Sequence, residues 1–240
     1  MKAKIKKHIN KRPDHTWRKF ISNTIAAQIH LATALVATLG LVVLLQKAQL
    51  RDGQEHLISC MIYGLSGLLV FVASSVVHFL DDGFHISRKL AQKLENIDMV
   101  AIYLFIAGTY TPILMHTISP PHREILLVLV WGLALAGVSY TLFKEKFPKW
   151  AQHRMISTGL YVLMGWIFVF RIKDIMQGLS AFQSRYLILG AASYSIGAVI
   201  FAFKRPNLIK DFFGYHELWH VLVSLGFAFH YFMIFNIYQS

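Results

Sequence analysis

Seven long apolar runs separated by short polar connections constrain this chain more than any motif in it. Inside hydrocarbon no water can satisfy a bare N–H or C=O, so a crossing segment must close its own backbone hydrogen bonds as a helix or belong to a closed barrel. The runs cover Asn23–Leu45, Leu57–Leu80, Ile97–Met115, Glu124–Phe143, Met155–Phe170, Tyr186–Phe203 and His216–Tyr238. A helix needs about 20 residues to cross a bilayer, and the third and fifth runs lie near the short limit. None shows the strand-and-turn alternation of a barrel. Hydrophobic residues make up 55% of the 240, against 15% charged, which excludes a soluble domain. The expected fold class is an all-α integral membrane protein, a seven-transmembrane helix bundle, with a basic segment over residues 1–22 and a single domain over 23–240. The basic start followed by an apolar run imitates a signal peptide. That run, however, exceeds the roughly 7–15-residue core of one and ends without a small-residue cleavage pattern, so a retained first helix is expected. The single cysteine, Cys60, leaves neither an intrachain disulfide nor a cysteine-based zinc site open.

Basic residues orient the bundle. Eighteen lysines and arginines lie before the first run or in the connections on that side, including Arg88, Lys93, Lys149 and Lys204, against six on the opposite side. This bias predicts a cytoplasmic N-terminus and, with an odd number of spans, an external C-terminus. It also accounts for the net charge of +12. A basic cytoplasmic skin faces anionic lipid headgroups, so membrane lipids are the expected partners and nucleic acid is not.

With that topology, scattered polar residues fall at one depth. The second span ends with Ser74 and His78 one turn apart, the third begins with Asp98, and the seventh begins with His216 and His220. Residues four apart lie one above the other on a helix, so His216 and His220 can reach the same ion. Three imidazoles with a fourth position open to water form a catalytic zinc arrangement, and a carboxylate and a hydroxyl beside them suit the surrounding shell. Each residue also has a plainer reading. Asp98 alone could cap the third helix, and Ser74 alone could bond its own backbone one turn back. His30, His56, His85, His116, His122, His153 and His230 are expected to be interfacial or hydrogen-bonded side chains. His230 lies about 21 Å along the helix from His216 and cannot share its metal. His216-Glu217-x-x-His220 also matches the zinc-protease pattern in which the intervening Glu is the general base; otherwise Glu217 is a helix-end charge favoured by the dipole.

Ser74-x-x-x-His78, then Asp98 followed by Ala107-Gly108-Thr109-Tyr110-Thr111-Pro112, then Phe213-Gly214-Tyr215-His216-Glu217-Leu218-Trp219-His220 resemble the three signature blocks of the hemolysin III branch of the progestin and adipoQ receptor family. That family lies within a superfamily that includes alkaline ceramidases. The resemblance spans residues 20 to 238 and implies Zn²⁺ ligands at His78, His216 and His220, with Asp98 and Ser74 around the metal-bound water. The family's first-span run, Glu-x-x-Asn-x-x-x-His, is incomplete: with His30 in the histidine place, the earlier positions hold Asn23 and Ala26. Gly108 and Pro112 either kink the third helix and open the interior, or pack as small residues between helices.

The function expected is that of an intramembrane zinc hydrolase of lipid amides, ceramide-like substrates first, in a bacterial inner membrane. Asp98 is the expected proton acceptor and Ser74 the orienting hydroxyl. The alternative is a non-enzymatic, zinc-stabilised membrane protein that senses or adjusts lipid state or membrane energetics. A pore-forming haemolysin ranks below both, because a pore needs a continuous polar stripe and the polarity here gathers at one end.

The charge bias makes a direct prediction. Reporter fusions after Lys93 and Lys149 should report cytoplasm, and a fusion at Ser240 should report the outside. A C-terminal reporter agreeing with the two loops would overturn the topology.

Overall fold

The computed structural model describes residues 13–51, 53–83, 86–152, 154–209 and 212–239. Most of the basic N-terminal segment, together with His85 and His153, lies outside them. Eight α-helices follow in order: α1 (Pro13–Gln49), α2 (Gln54–Gly83), α3 (Arg88–Thr117), α4 (His122–Phe143), α5 (Arg154–Gly165), α6 (Ile172–Gln177), α7 (Ala181–Phe203) and α8 (Tyr215–Gln239). Seven helical segments are long and apolar enough to cross a membrane, α5 and α6 sharing one of them. This is an integral multi-pass helical membrane protein, with each apolar run of the sequence falling on one span, the fifth run starting one residue ahead of its span.

The arrangement follows from which faces are buried. Consecutive spans pack on one another, the fifth meeting α7 through α5, and the ring closes where α8 meets α1; α3 also reaches α5, α6 and α8. It is therefore the inner helix, with 61% of its span buried against 17–28% for α1, α4, α5–α6 and α7. On α2 the buried positions Tyr63, Val70, Phe71 and Ser74 follow Cys60 by 3, 10, 11 and 14 residues, the spacing of one helical face. On α8, His220, Val223, Phe227, His230, Ile234 and Ile237 do the same. Tyr63, Phe71, Phe105 and Phe227 meet at the centre, with ring centroids 5.0–6.4 Å apart. Small residues admit these rings: a methyl group on Gly67 would lie 2.8 Å from Phe227, and one on Gly108 would run into the Ser66 hydroxyl. At Gly108 the small-residue packing anticipated from the sequence is what is found. The helix continues through Pro112 to Thr117.

Lipid offers no hydrophobic force between helices, so polar side chains supply part of the adhesion. Along α1 and α8 they form a ladder: His30 meets His220 at 2.9 Å, Thr33 donates to Ser224 at 2.8 Å, and Tyr231 donates to the Gly40 carbonyl at 2.9 Å. Both sequences ascend together, so the first and last helices run parallel.

The fifth span is broken. After Gly165 the chain turns through a 3-10 segment, Ile167–Arg171, before α6. Such a break strands backbone groups at membrane depth, where a partner must be found. The Tyr110 hydroxyl provides it, lying 3.0 Å from the carbonyls of both Met164 and Gly165 and accepting from the Phe168 N–H at 3.1 Å. Tyr110 thus has a structural duty within the Ala-Gly-Thr-Tyr-Thr-Pro block. Removing that oxygen in Tyr110→Phe leaves buried groups unpaired and should destabilise the protein by about 2 kcal/mol. A lowered midpoint of thermal unfolding in detergent would show it; an unchanged midpoint would contradict the assignment.

Candidate metal centre

Two helices deliver the three imidazoles. His78 ends the buried face of α2, and His216 and His220 stand one turn apart at the start of α8. Local sequence fixes that start. The Glu217 carboxylate folds back to accept the Gly214 N–H at 2.7 Å, and the Asn207 side chain accepts from Tyr215 N–H at 3.4 Å. A glutamate in the first turn that accepts from the backbone N–H three residues before it supplies one half of a capping box, the half open to a helix that starts after a glycine. Glu217 is buried and performs this closure, which favours the helix-end reading over the protease-like one.

The three imidazoles form a nearly equilateral cluster. Their centroids are separated by 4.9 Å (His78–His216), 4.8 Å (His78–His220) and 4.6 Å (His216–His220). One ring nitrogen from each lies within 4.8 Å of the others. The Nε2 atoms of His216 and His220 are 3.2 Å apart. Two ligands on a tetrahedral zinc, each at about 2.0–2.1 Å, stand about 3.3 Å from one another, so this pair already has ligating separation. His220 uses its other nitrogen, Nδ1, against His30 Nε2. A metal-bound imidazole nearly always engages its second nitrogen in this way, which fixes ring orientation. The donor set therefore fits a divalent, imidazole-binding metal such as zinc.

His30 is the residue whose part the sequence reading underestimated. It is 3% exposed and stands edge-on to Phe71 at 5.2 Å, so its ring cannot swing away from His220. The signal lay in its place: an imidazole inside an apolar run is costly unless something satisfies it.

Asp98, Ser74 and Asn23 line the same cavity as the triad. The capping explanation for Asp98 fails, because α3 begins ten residues earlier, with Ser87 as its N-cap accepting from the Leu90 N–H at 3.3 Å. Asp98 is a half-buried interior residue of that helix. Ser74 is 2% exposed, and the bond to a carbonyl one turn back belongs to its neighbour Ser75, which donates to Phe71 O at 2.8 Å. His230 stays away from the cluster. The cavity has a volume of about 540 Å³ and continues from the triad between apolar walls such as Ile106, Ile113 and Leu187. Its size falls in the usual range for small-molecule sites.

The sequence profile described as "Haemolysin-III related" matches residues 18–231. The chain is 31% identical over 213 residues to the "Hemolysin-3 homolog" of Bacillus subtilis (strain 168), covering 89% of this chain and 91% of that one. It is 30% identical over 218 residues to "Hemolysin-3" of Bacillus cereus, covering 90% and 92%. Similarity extends to the human "Monocyte to macrophage differentiation factor", at 27% over 194 residues and 80% and 76% of the two chains. The chain belongs to the haemolysin-III-related family.

The hydrogen bond between His220 and His30 predicts an effect at a distance from the ligands themselves. Titration of purified protein with a divalent metal should show His30→Ala weakening affinity by about 10–100-fold. His216→Ala and His220→Ala should lose most binding, and His230→Ala should bind as the parent does. Metal held equally by the parent and the double variant His216→Ala/His220→Ala would remove the centre.

Proposed function

We propose that this haemolysin III family protein is an intramembrane zinc hydrolase acting on lipid amides, with ceramide-like molecules as the substrate class, in the inner membrane of a bacterium. The observation that carries the reading is the junction of a three-imidazole cluster with a cavity that runs on between apolar walls such as Ile106, Ile113 and Leu187. His78, His216 and His220 would hold the ion. Zinc bound there would supply a Lewis acid for the amide carbonyl and a water that ionises near neutral pH.

The chain's own residues have distinct duties in this reading. Asp98, in the cavity wall on α3, accepts the proton of the attacking water and returns it to the departing amine. Ser74, one turn above His78, orients the water or the carbonyl oxygen. His30 keeps His220 in place. Apolar side chains along the cavity take up the acyl chain and exclude bulk water, which strengthens every electrostatic interaction near the triad.

A non-enzymatic reading draws on one observation: a metal at the triad would join α2 to α8, and through His30 to α1, and so would brace the bundle. The pore reading is weaker, because Tyr63, Phe71, Phe105 and Phe227 fill the bundle centre with aromatic rings.

Asp98→Asn separates these readings. It preserves shape, leaves the three histidines intact and removes the proton acceptor. Hydrolysis of N-acyl lipids by the zinc-loaded variant should fall by about 10²–10⁴-fold, with Ser74→Ala costing less. A variant that turns over as fast as the parent would overturn the role of Asp98. A parent that is fully loaded, folded and inert toward every N-acyl lipid tested would favour the bracing role.

A further inference from the structure

Far from the triad, α7 and α8 cross over a reciprocal pair of glycines. Gly190 and Tyr194 are one turn apart on α7, and Gly226 and His230 are one turn apart on α8. A methyl group on Gly190 would collide with the His230 imidazole, and one on Gly226 would meet the Tyr194 ring at 2.7 Å. Each glycine thus makes the hollow that receives the other helix's ring, and the two rings stand 5.5 Å apart between centroids. Both residues line the cavity that begins at the triad. His230 lies ten residues beyond His220, roughly 15 Å along α8.

Both rings bring a buried polar atom without a partner: Tyr194 Oη and His230 Nδ1. His230 is only 6% exposed. Its Nε2 lies 3.3 Å from the Leu187 carbonyl, which can only accept, so the proton sits on Nε2 and Nδ1 presents a lone pair. Tyr194 presents an O–H that can donate. Polar atoms left unsatisfied in an apolar interior are costly, and two of complementary character, carried on neighbouring rings, call for a group that both gives and takes a hydrogen bond.

We propose that His230 and Tyr194 form a second polar subsite in the cavity, which binds a hydroxyl group carried on the distal part of a lipid acyl chain. The hydroxyl donates to His230 Nδ1 and accepts from the Tyr194 O–H. A carbonyl could only accept, and would leave His230 Nδ1 unmatched. This inference rests on the cavity being an acyl-chain slot, and not on hydrolysis.

The test is a binding measurement on the zinc-loaded, full-length protein in detergent. Octadecanoic acid, its 2-hydroxy derivative and its 12-hydroxy derivative compete with radiolabelled octadecanoic acid. Two additional buried hydrogen bonds should make the 12-hydroxy acid about tenfold tighter than the plain acid, with no such gain for the 2-hydroxy isomer. Tyr194→Phe keeps the ring in its hollow and removes one oxygen; it should cut the preference to about threefold or less while the plain acid binds as before. His230→Phe should do the same. Equal affinity of the plain and 12-hydroxy acids in the parent, as for a subsite that holds only water, would overturn the proposal while leaving the acyl slot standing. A preference undiminished in both variants would also overturn it. Failure of all three acids to bind would overturn the slot and the subsite together.

Discussion

The contact between His30 and His220 holds the architecture and the candidate chemistry together. It joins the first helix to the last across 190 positions of sequence, at 2.9 Å, between two imidazoles that are both buried. Thr33 with Ser224 and Gly40 with Tyr231 extend the same seam, so α1 and α8 are locked in register over three contacts. In a bilayer such contacts matter because burial of apolar surface no longer favours helix association. The seam has a chemical consequence as well. With Nδ1 of His220 engaged by His30, Nε2 is the nitrogen turned toward His216 and available to a metal. A local choice of ring orientation is thus set by the packing of two whole helices.

Much of this was legible in the sequence because hydrocarbon leaves few options. Seven apolar runs had to be helices, and once their directions alternate, Ser74, His78, Asp98, His216 and His220 fall at one depth. Hydropathy was less able to see where helices begin. The turns from Arg88 to Asn96 are polar and lie ahead of the apolar run, so Asp98 looked like a helix start although α3 was already under way. The break after Gly165 was equally hidden, since apolarity does not distinguish an α-helix from a 3-10 turn. Its repair depends on Tyr110, more than fifty residues earlier in the chain. His30 was visible only as an isolated histidine, because the partner that explains it is at the other end of the protein.

The bundle also shows how an apolar protein can accommodate both a tight core and a cavity. Aromatic rings from α2, α3 and α8 fill the centre through hollows left by glycines. The cavity runs beside that plug, with the triad at one end and the unmatched atoms of Tyr194 and His230 farther in. Sites that depart from simple hydrophobic packing are where function is expected to reside.

The central claim is that His78, His216 and His220 bind one zinc ion with a fourth position left for water. X-ray absorption at the zinc edge, on protein purified in mild detergent, reads the first coordination shell directly. The account predicts one zinc per chain with three imidazole nitrogens and one oxygen at about 2.0–2.1 Å, and loss of the imidazole signal in His216→Ala/His220→Ala. A shell without imidazole, or a spectrum unchanged in that double variant, would contradict it.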